Sequence, residues 1–273
     1  MEIIKIEGTE YSVRNDVEEL SVRDWFTLKE VYSERYYIVN GTLADGTELK
    51  EVAEPTEEFL LDKWRKVLRV ISDIPDNFLA IDQVVEVIVP FIPDIFSITK
   101  KKLVTFDGVR FTIKPFDTWC FQQFCDFDSS LIDPLEAFLT VVRRVDDLDR
   151  PYDRYGNDRE ELLFLPKAPA TVFIPLFLYL IEKYIEFKGY FKYLFEFEGA
   201  GESRGPNSKQ HSKNFKWEDT IATLAETPVF NSPKGTLYAV RTARATEVLE
   251  YLNLKQSKDT AEYLDYKLKQ RKK

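Results

Sequence analysis

The chain contains a single histidine, His211, and any histidine-based catalysis would depend on it. It lies in a polar stretch that is rich in glycine and serine. Serine and cysteine nucleophiles usually need a histidine held in a pocket, and structural zinc sites need several histidine or cysteine ligands. We therefore expect His211 to be solvated and to act neither as a general base nor as a metal ligand.

The two cysteines, Cys120 and Cys125, are five residues apart in an aromatic segment. One pair this close in sequence is not a disulfide framework. We expect both side chains to be buried free thiols, as in proteins of a reducing compartment.

The acidic stretch at residues 146–156 invites comparison with a calcium-binding loop. If Asp147 is position 1 of such a loop, Pro151 stands at position 5, where an oxygen ligand is needed, and Gly156 comes at position 10 instead of 6. The interleaved arginines predict a solvated loop with internal ion pairs. The sequence also lacks a phosphate-binding loop and a dinucleotide-binding glycine motif, so we expect no metal, cofactor or small-molecule substrate.

The composition is typical of a folded, acidic protein. Of the 273 residues, 44% are hydrophobic and 14% aromatic, and the net charge is −9. Proteins whose main partner is nucleic acid are usually basic, so we expect no such partner except through the basic end at residues 267–273. That end either contacts an acidic partner or nucleic acid, or is a solvated terminus.

Nothing in the sequence predicts a membrane or export segment. The longest apolar run, residues 172–181, contains Pro175 and is too short to cross a bilayer. Residues 1–10 alternate like a β-strand and do not resemble a signal peptide. We expect a protein that is neither secreted nor membrane-embedded.

The elements that would position any site are repeated within the chain. Residues 3–13 and 103–113 both predict a β-hairpin with a glycine in its turn. The matched positions are Ile4 and Val104, Ile6 and Phe106, Gly8 and Gly108, Tyr11 and Phe111, and Val13 and Ile113. The alternative is a coincidence between two ordinary hairpins.

Similar helical patterns follow each hairpin. Trp25 follows the first and Trp119 the second, the latter six residues closer to its hairpin. Amphipathic helices are predicted next at residues 56–71 and 134–145, with Asp133 and Pro134 as an N-cap pair. Apolar helices at 81–89 and 170–194 close the pattern. We predict two tandem hairpin-plus-helices modules at residues 1–98 and 101–198.

The rest of the chain predicts a polar linker at residues 199–214 and a helical C-terminal arm at 215–273. The fold class is α+β and predominantly helical. Short helices need a surface to cover their apolar faces, and that surface is either the modules or a partner. We predict a partner, contacted through Trp217, Ile221, Leu224, Val248, Leu249, Leu252, Lys267, Lys269 and Arg271.

Several short patterns carry a resemblance to a known family. The first hairpin is followed by Leu-Ser-x-x-x-Trp at residues 20–25 and by Ile-Ser-x-Ile-Pro at residues 71–75. A tryptophan-started helix at 216–225 precedes a short helical pattern at 248–252. The chain resembles the tail-assembly-chaperone-like and virion morphogenesis proteins of tailed phages, especially phages of Bacteroidetes. The acidic, arginine-containing stretch at 146–161 is not part of that pattern.

The resemblance implies a non-enzymatic phage structural or assembly protein that binds other virion or assembly proteins, or further copies of itself. It implies a location in the virion or the host cytoplasm, and it supplies no catalytic residues. The sequence leaves two alternative functions open. The first is a cellular adaptor unrelated to phages, and the second is an enzyme that uses carboxylates and a bound metal.

Overall fold

The computed structural model describes most of the chain as helices and short antiparallel strands. Within the described part there are eleven α-helices and seven β-strands, and the predicted class, α+β and predominantly helical, is confirmed. No helix of that part is long and apolar enough to span a bilayer. The described residues are 1–42, 48–91, 97–152, 162–195, 216–227, 229–230 and 232–271.

The chain divides into two compact units, each made of two stretches. Unit 1 contains Met1–Lys100 and Leu163–Pro175, and unit 2 contains Lys101–Leu162 and Leu176–Lys273. The break between Lys100 and Lys101 coincides with the predicted boundary between the two modules, whereas the predicted module end at 198 is not a boundary between the units. Residues 163–175 belong to the first unit, and the predicted C-terminal arm belongs to the second.

Unit 1 starts with a hairpin and continues through helices and a second hairpin. Its elements are β1 (Glu2–Ile6), β2 (Thr9–Val13), α1 (Val22–Ser33), β3 (Tyr37–Thr42), β4 (Glu48–Val52), α2 (Glu57–Ile71), α3 (Asp76–Leu79), α4 (Asp82–Ile88) and the first turns of α7 (Ala170–Gly189). Strands β1 and β2 form one two-stranded sheet, and β3 and β4 form another.

Unit 2 starts with the second predicted hairpin and ends with a long helix. Its elements are β5 (Val104–Phe106), β6 (Val109–Ile113), α5 (Phe121–Ser130), α6 (Pro134–Val141), β7 (Val142–Arg144), the remainder of α7, α8 (Lys192–Phe195), α9 (Trp217–Ala225), α10 (Thr236–Thr242) and α11 (Ala245–Arg271). Its sheet has three antiparallel strands in the order β5-β6-β7.

The two predicted hairpins have the same turn. Ile6 pairs with Thr9, and Phe106 pairs with Val109, so each loop has two residues. Glu7 and Gly8 have φ of 50° and 84°, and Asp107 and Gly108 have 48° and 77°. Two successive positive φ values define the turn that matches the twist of paired strands, and they explain the glycine at the second position.

The second strand of each hairpin pairs with the chain that leaves the second long helix. Val13 bridges Ser72, which caps the C-terminus of α2. Ile113 pairs with Val142, which caps the C-terminus of α6. This pairing ends α6 at Val141 instead of 145, because residues 142–144 satisfy their backbone groups as strand β7. The predicted N-cap is present, since Asp133 accepts from the amides of Leu135 and Glu136.

The units also close in the same way, with two helix starts held side by side. In unit 1 the N–H of Val22 donates to the carbonyl of Ala168, and Ala170 donates to Leu20, both at 2.8 Å. In unit 2 the donors Phe121 and Ala245 reach the carbonyls of Ala243 and Trp119, again at 2.8 Å. The closing helix is therefore α7 in unit 1 and α11 in unit 2, which corrects the predicted pair at 81–89 and 170–194.

This pairing also changes which aromatic residues correspond. Ser21 and Cys120 are the N-caps of α1 and α5, so the equivalent of Trp119 is Leu20, one residue before the cap. The equivalent of Trp25 is Phe124, inside the helix. Trp25, Trp119 and Phe124 are all at most 2% exposed, so each is a core residue of its own unit.

Candidate interaction surfaces

The predicted arm residues lie inside unit 2. Trp217, Ile221, Leu224, Val248 and Leu249 are each at most 4% exposed, and Leu252 is half-buried. Side chains that are covered by their own unit cannot contact a partner without local opening. The apolar faces of these helices are therefore covered by the protein's own residues and not by a partner.

Trp217 shows how the C-terminal part packs. Its ring meets those of Phe121 and Phe124 edge-on, at centroid distances of 5.6 and 5.4 Å. Its indole Nε1 donates to Oδ2 of Asp128 at 2.7 Å. Edge-to-face aromatic pairs and a hydrogen bond to a carboxylate both stabilise such a contact, so α9 is attached firmly to α5.

The carboxylate of Asp128 interacts with side chains from several elements. The Tyr184 hydroxyl, from α7, donates to its Oδ1, and Lys188 Nζ lies 3.7 Å from the same oxygen. The ammonium of Lys188 also lies 4.3 Å from the ring centroid of Phe195. The charge of Asp128 is thus compensated, and the arrangement is that of a structural clamp.

A second carboxylate on α5, that of Asp126, accepts hydrogen bonds from other side chains. Gln122 Nε2 reaches Oδ1 and the Tyr152 hydroxyl reaches Oδ2, both at 2.7 Å. Burial, together with the hydrogen bond to Asp126, raises the pKa of Tyr152. Tyr152 therefore stays a neutral donor, which suits a structural hydrogen bond and does not suit general-base chemistry.

The cysteines are free thiols, but only one is fully buried. Cys125 is buried, whereas Cys120 is half-buried at the start of α5. Burial raises the pKa of Cys125, and the nearby carboxylates of Asp126 and Asp128 raise it further. Burial also raises the pKa of Cys120. Both side chains are held as thiols, the less reactive form of cysteine.

The polar residues singled out from the sequence fall partly outside the described residues. Asp147 pairs with Arg150 at 2.9 Å, an ion pair of the predicted kind, but residues 153–161 are not described, and neither is His211. Within the described ranges, no three histidine, cysteine or acidic side chains are grouped closely enough to hold a metal ion.

Unit 1 has an open apolar groove between α2 and α4. It holds about 230 Å³, less than a typical small-molecule site, and suits an inserted side chain. Leu60, which lines this groove, is 38% exposed. The lining residues are Glu57, Leu60, Leu61, Trp64, Val85, Glu86 and Val89.

Acidic residues border this α2–α4 groove. The chain from 51 to 62, which leads into α2, contains five acidic residues and no basic one. Glu57 and Glu86 line the groove itself, and both side chains are exposed. An apolar depression with an acidic rim fits the apolar face of a basic segment.

The sequence pattern of α2 predicts a core-facing helix and does not reveal this groove. Leu60 and Trp64 share the helical spacing of Val67, Leu68 and Ile71, and the last three are fully buried. The one available signal is the length of the apolar stripe on α2, which extends beyond the turns that the core covers.

The basic residues Lys267, Lys269 and Arg271 belong to the helix α11, which continues to Arg271. Their side chains lie outside the described set, so their predicted partner contacts remain predictions. Before them, Leu254, Lys255 and Lys258 are exposed. Helix α11 therefore has a packed first part, and from Leu254 onward its described side chains are mostly exposed.

Comparison with protein families, with curated proteins and with solved structures finds no match to this chain. The resemblance to phage assembly proteins thus rests on the sequence patterns alone.

Proposed function

We propose that this protein is a non-enzymatic structural or assembly protein of a tailed phage, either a virion or tail component or a tail assembly chaperone. It acts by binding other virion or assembly proteins. The observation that carries the proposal is the α2–α4 groove, an exposed apolar depression with an acidic rim on unit 1. The sequence patterns at 20–25 and 71–75 support the phage assignment.

The groove acts as a receptor for an apolar anchor on the partner. Leu60, Leu61 and Trp64 form its α2 side, and Val85 and Val89 form the opposite side. A few well-packed apolar side chains usually contribute most of the binding energy of an interface, while a charged rim sets orientation and specificity. Glu57 and Glu86 are placed to form that rim.

The test is recovery of the protein with other phage proteins. A tagged copy is expressed together with the virion proteins encoded beside it, and the material that co-purifies is identified by mass spectrometry, along with the content of purified particles. The wild-type chain is expected in particles or in a complex with a virion protein. Its absence from both would overturn the proposal, as would a gene with no virion genes near it.

Two variants connect the test to the groove. Leu60→Glu places a charge in the depression and is expected to reduce co-purification at least tenfold, because the lost anchor contact and a buried charge each weaken binding by more than about 1.4 kcal/mol. Leu163→Glu introduces the same charge at a side chain of unit 1 that is 73% exposed and does not line the groove. It is expected to bind like wild type.

A further inference from the structure

The second part of helix α11 is largely exposed over the residues that the structure describes. From Leu254 to Glu262 the described side chains are exposed, apart from a half-buried Ser257. The helix continues to Arg271, so the part from Leu254 to Arg271 is about 27 Å long at about 1.5 Å per residue. The packed first part of α11 supplies the start of the helix, and an apolar face on its extension gains stability if it lies against a surface.

The sequence of this part has one apolar face and a basic end. Leu254, which is 62% exposed, is followed by Ala261, Leu264 and Leu268 at successive intervals of seven, three and four residues, a spacing typical of one helical face. The last seven residues, 267–273, contain five basic residues and no acidic one. A helix of this kind fits an apolar groove with an acidic rim.

The α2–α4 groove of unit 1 has the complementary chemistry. It is apolar along its floor, its volume of about 230 Å³ suits an inserted leucine, and Glu57 and Glu86 stand at its edge. Glu51 and Glu54 continue that charge into the chain before α2, and Glu58 adds to it in the first turn of α2. Opposite charges across an interface set the orientation of the partners and speed their association.

We propose that the α2–α4 groove binds the second part of α11 from another copy of this chain. The proposal rests on the proposed function, and it names one partner of the same site. Because the tail of one copy enters the groove of another, the contact joins two different surfaces. Such contacts either close into a ring or a reciprocal dimer, or continue into a longer assembly.

The test measures the mass of the full chain in solution by light scattering after size exclusion, at low and high salt. Wild type is expected to form a dimer or a larger assembly that dissociates as salt rises, since exposed charges are screened. Glu57→Lys/Glu86→Lys and, separately, Lys267→Glu/Lys269→Glu/Arg271→Glu are each expected to elute as single chains. The matched control, Glu18→Lys/Glu30→Lys, changes two acids of unit 1 outside the groove and is expected to assemble normally.

The decisive step is to mix the two charge-reversed proteins. Each lacks one half of the interface, and together they restore opposite charges, so the mixture is expected to form a dimer of one copy of each. A wild-type chain that stays monomeric, or assemblies that survive both reversals, would overturn the proposal. Thermal unfolding of every variant shows that a loss of assembly is not a loss of fold. A monomer that still co-purifies with virion proteins would refute this inference and leave the proposed function standing.

Discussion

Unit 1 and unit 2 share a frame but differ in what lies between their first two long helices. In unit 2 only residues 131–133 separate α5 from α6. In unit 1 the hairpin β3–β4 is inserted between α1 and α2, and its end residues Tyr37 and Val52 are 50% and 54% exposed. The insertion changes the surface of the unit and leaves the pairing of hairpin, helix starts and returning chain intact.

The cores differ as well. The core of unit 2 contains many aromatic rings. The ring centroid of Phe116 lies 5.2 Å from that of Phe187, on which it stacks, and 4.3 Å from that of Trp119. Helix α9 contributes a further ring, that of Trp217. Unit 1 buries mostly aliphatic side chains around Trp25 and leaves the α2–α4 groove open. Unit 2 thus buries the apolar faces of its own C-terminal helices, whereas unit 1 leaves the α2–α4 groove open.

The largest expected effect comes from removing residues 216–273. Seven apolar side chains of this part are at most 4% exposed, and together they contribute on the order of 10 kcal/mol, comparable with the stability of a whole domain. Unit 2 is expected to unfold or aggregate, and unit 1, which loses no residue, is expected to keep its own unfolding transition. Fluorescence reports each unit separately, since Trp25 and Trp64 belong to unit 1, and Trp119 to unit 2.

Deleting only residues 263–273 is the matched control and is expected to leave both units folded. If the longer deletion leaves Trp119 protected from a quencher, then the C-terminal helices are an independent arm and do not belong to the core of unit 2.

A smaller loss is expected when Asp128 is replaced by alanine. Tyr184 and Trp217 then lose their shared acceptor, which costs about 1–3 kcal/mol because buried donors are left without a partner. Asp128→Asn keeps one acceptor oxygen and is expected to lose about half as much. Urea unfolding of unit 2 measures both. Equal stability of the alanine variant and wild type would show that the clamp does not hold α7 and α9 to α5.

Substitution of the turn glycines tests whether the two hairpins contribute equally to the stability of their units. Gly8→Ala and Gly108→Ala each place a Cβ at positive φ and are expected to cost about 1–2 kcal/mol in their own unit. A Cβ added at either glycine would meet no neighbouring atom within 4 Å, so the cost is one of backbone conformation alone. Gly189→Ala, which has no positive φ, is the control. Clearly unequal costs would mean that the two hairpins support their units differently.

Local features of this fold could be predicted from the sequence, whereas the pairing of distant segments could not. The turns at Gly8 and Gly108 and the cap at Asp133 depend on neighbouring residues only. The closing partners of α1 and α5 depend on backbone groups near 169 and 244, and helical periodicity shows that a face is apolar without showing what covers it. For the same reason the sequence assigns Trp217 to a partner and gives no sign that the surface at Leu60 is open.

The smallest expected effect concerns the helix caps at equivalent positions of the two units. Ser21 accepts from the amide of Asp24 at 3.2 Å, and Asp24 accepts in return from the amide of Ser21. Cys120 makes no cap hydrogen bond of this geometry at the start of α5, although the backbone amides of Gln122 and Gln123 face its sulfur and partly offset the rise in the pKa of the thiol. Ser21→Ala is therefore expected to cost about 1 kcal/mol, and Cys120→Ser is expected to stabilise unit 2 by up to about 1 kcal/mol, because a hydroxyl accepts from a helix amide better than a thiol.

The control for the second change is Cys125→Ser, which replaces sulfur by oxygen inside the same helix, away from the cap. There the new hydroxyl is buried, and the variant is expected to lose about 1–3 kcal/mol. Urea unfolding of the three variants gives the comparison. If Cys120→Ser destabilises unit 2 as Cys125→Ser does, burial at this position outweighs capping, and the start of α5 is held by its backbone bonds to Ala243 and Ala245 instead of by its cap.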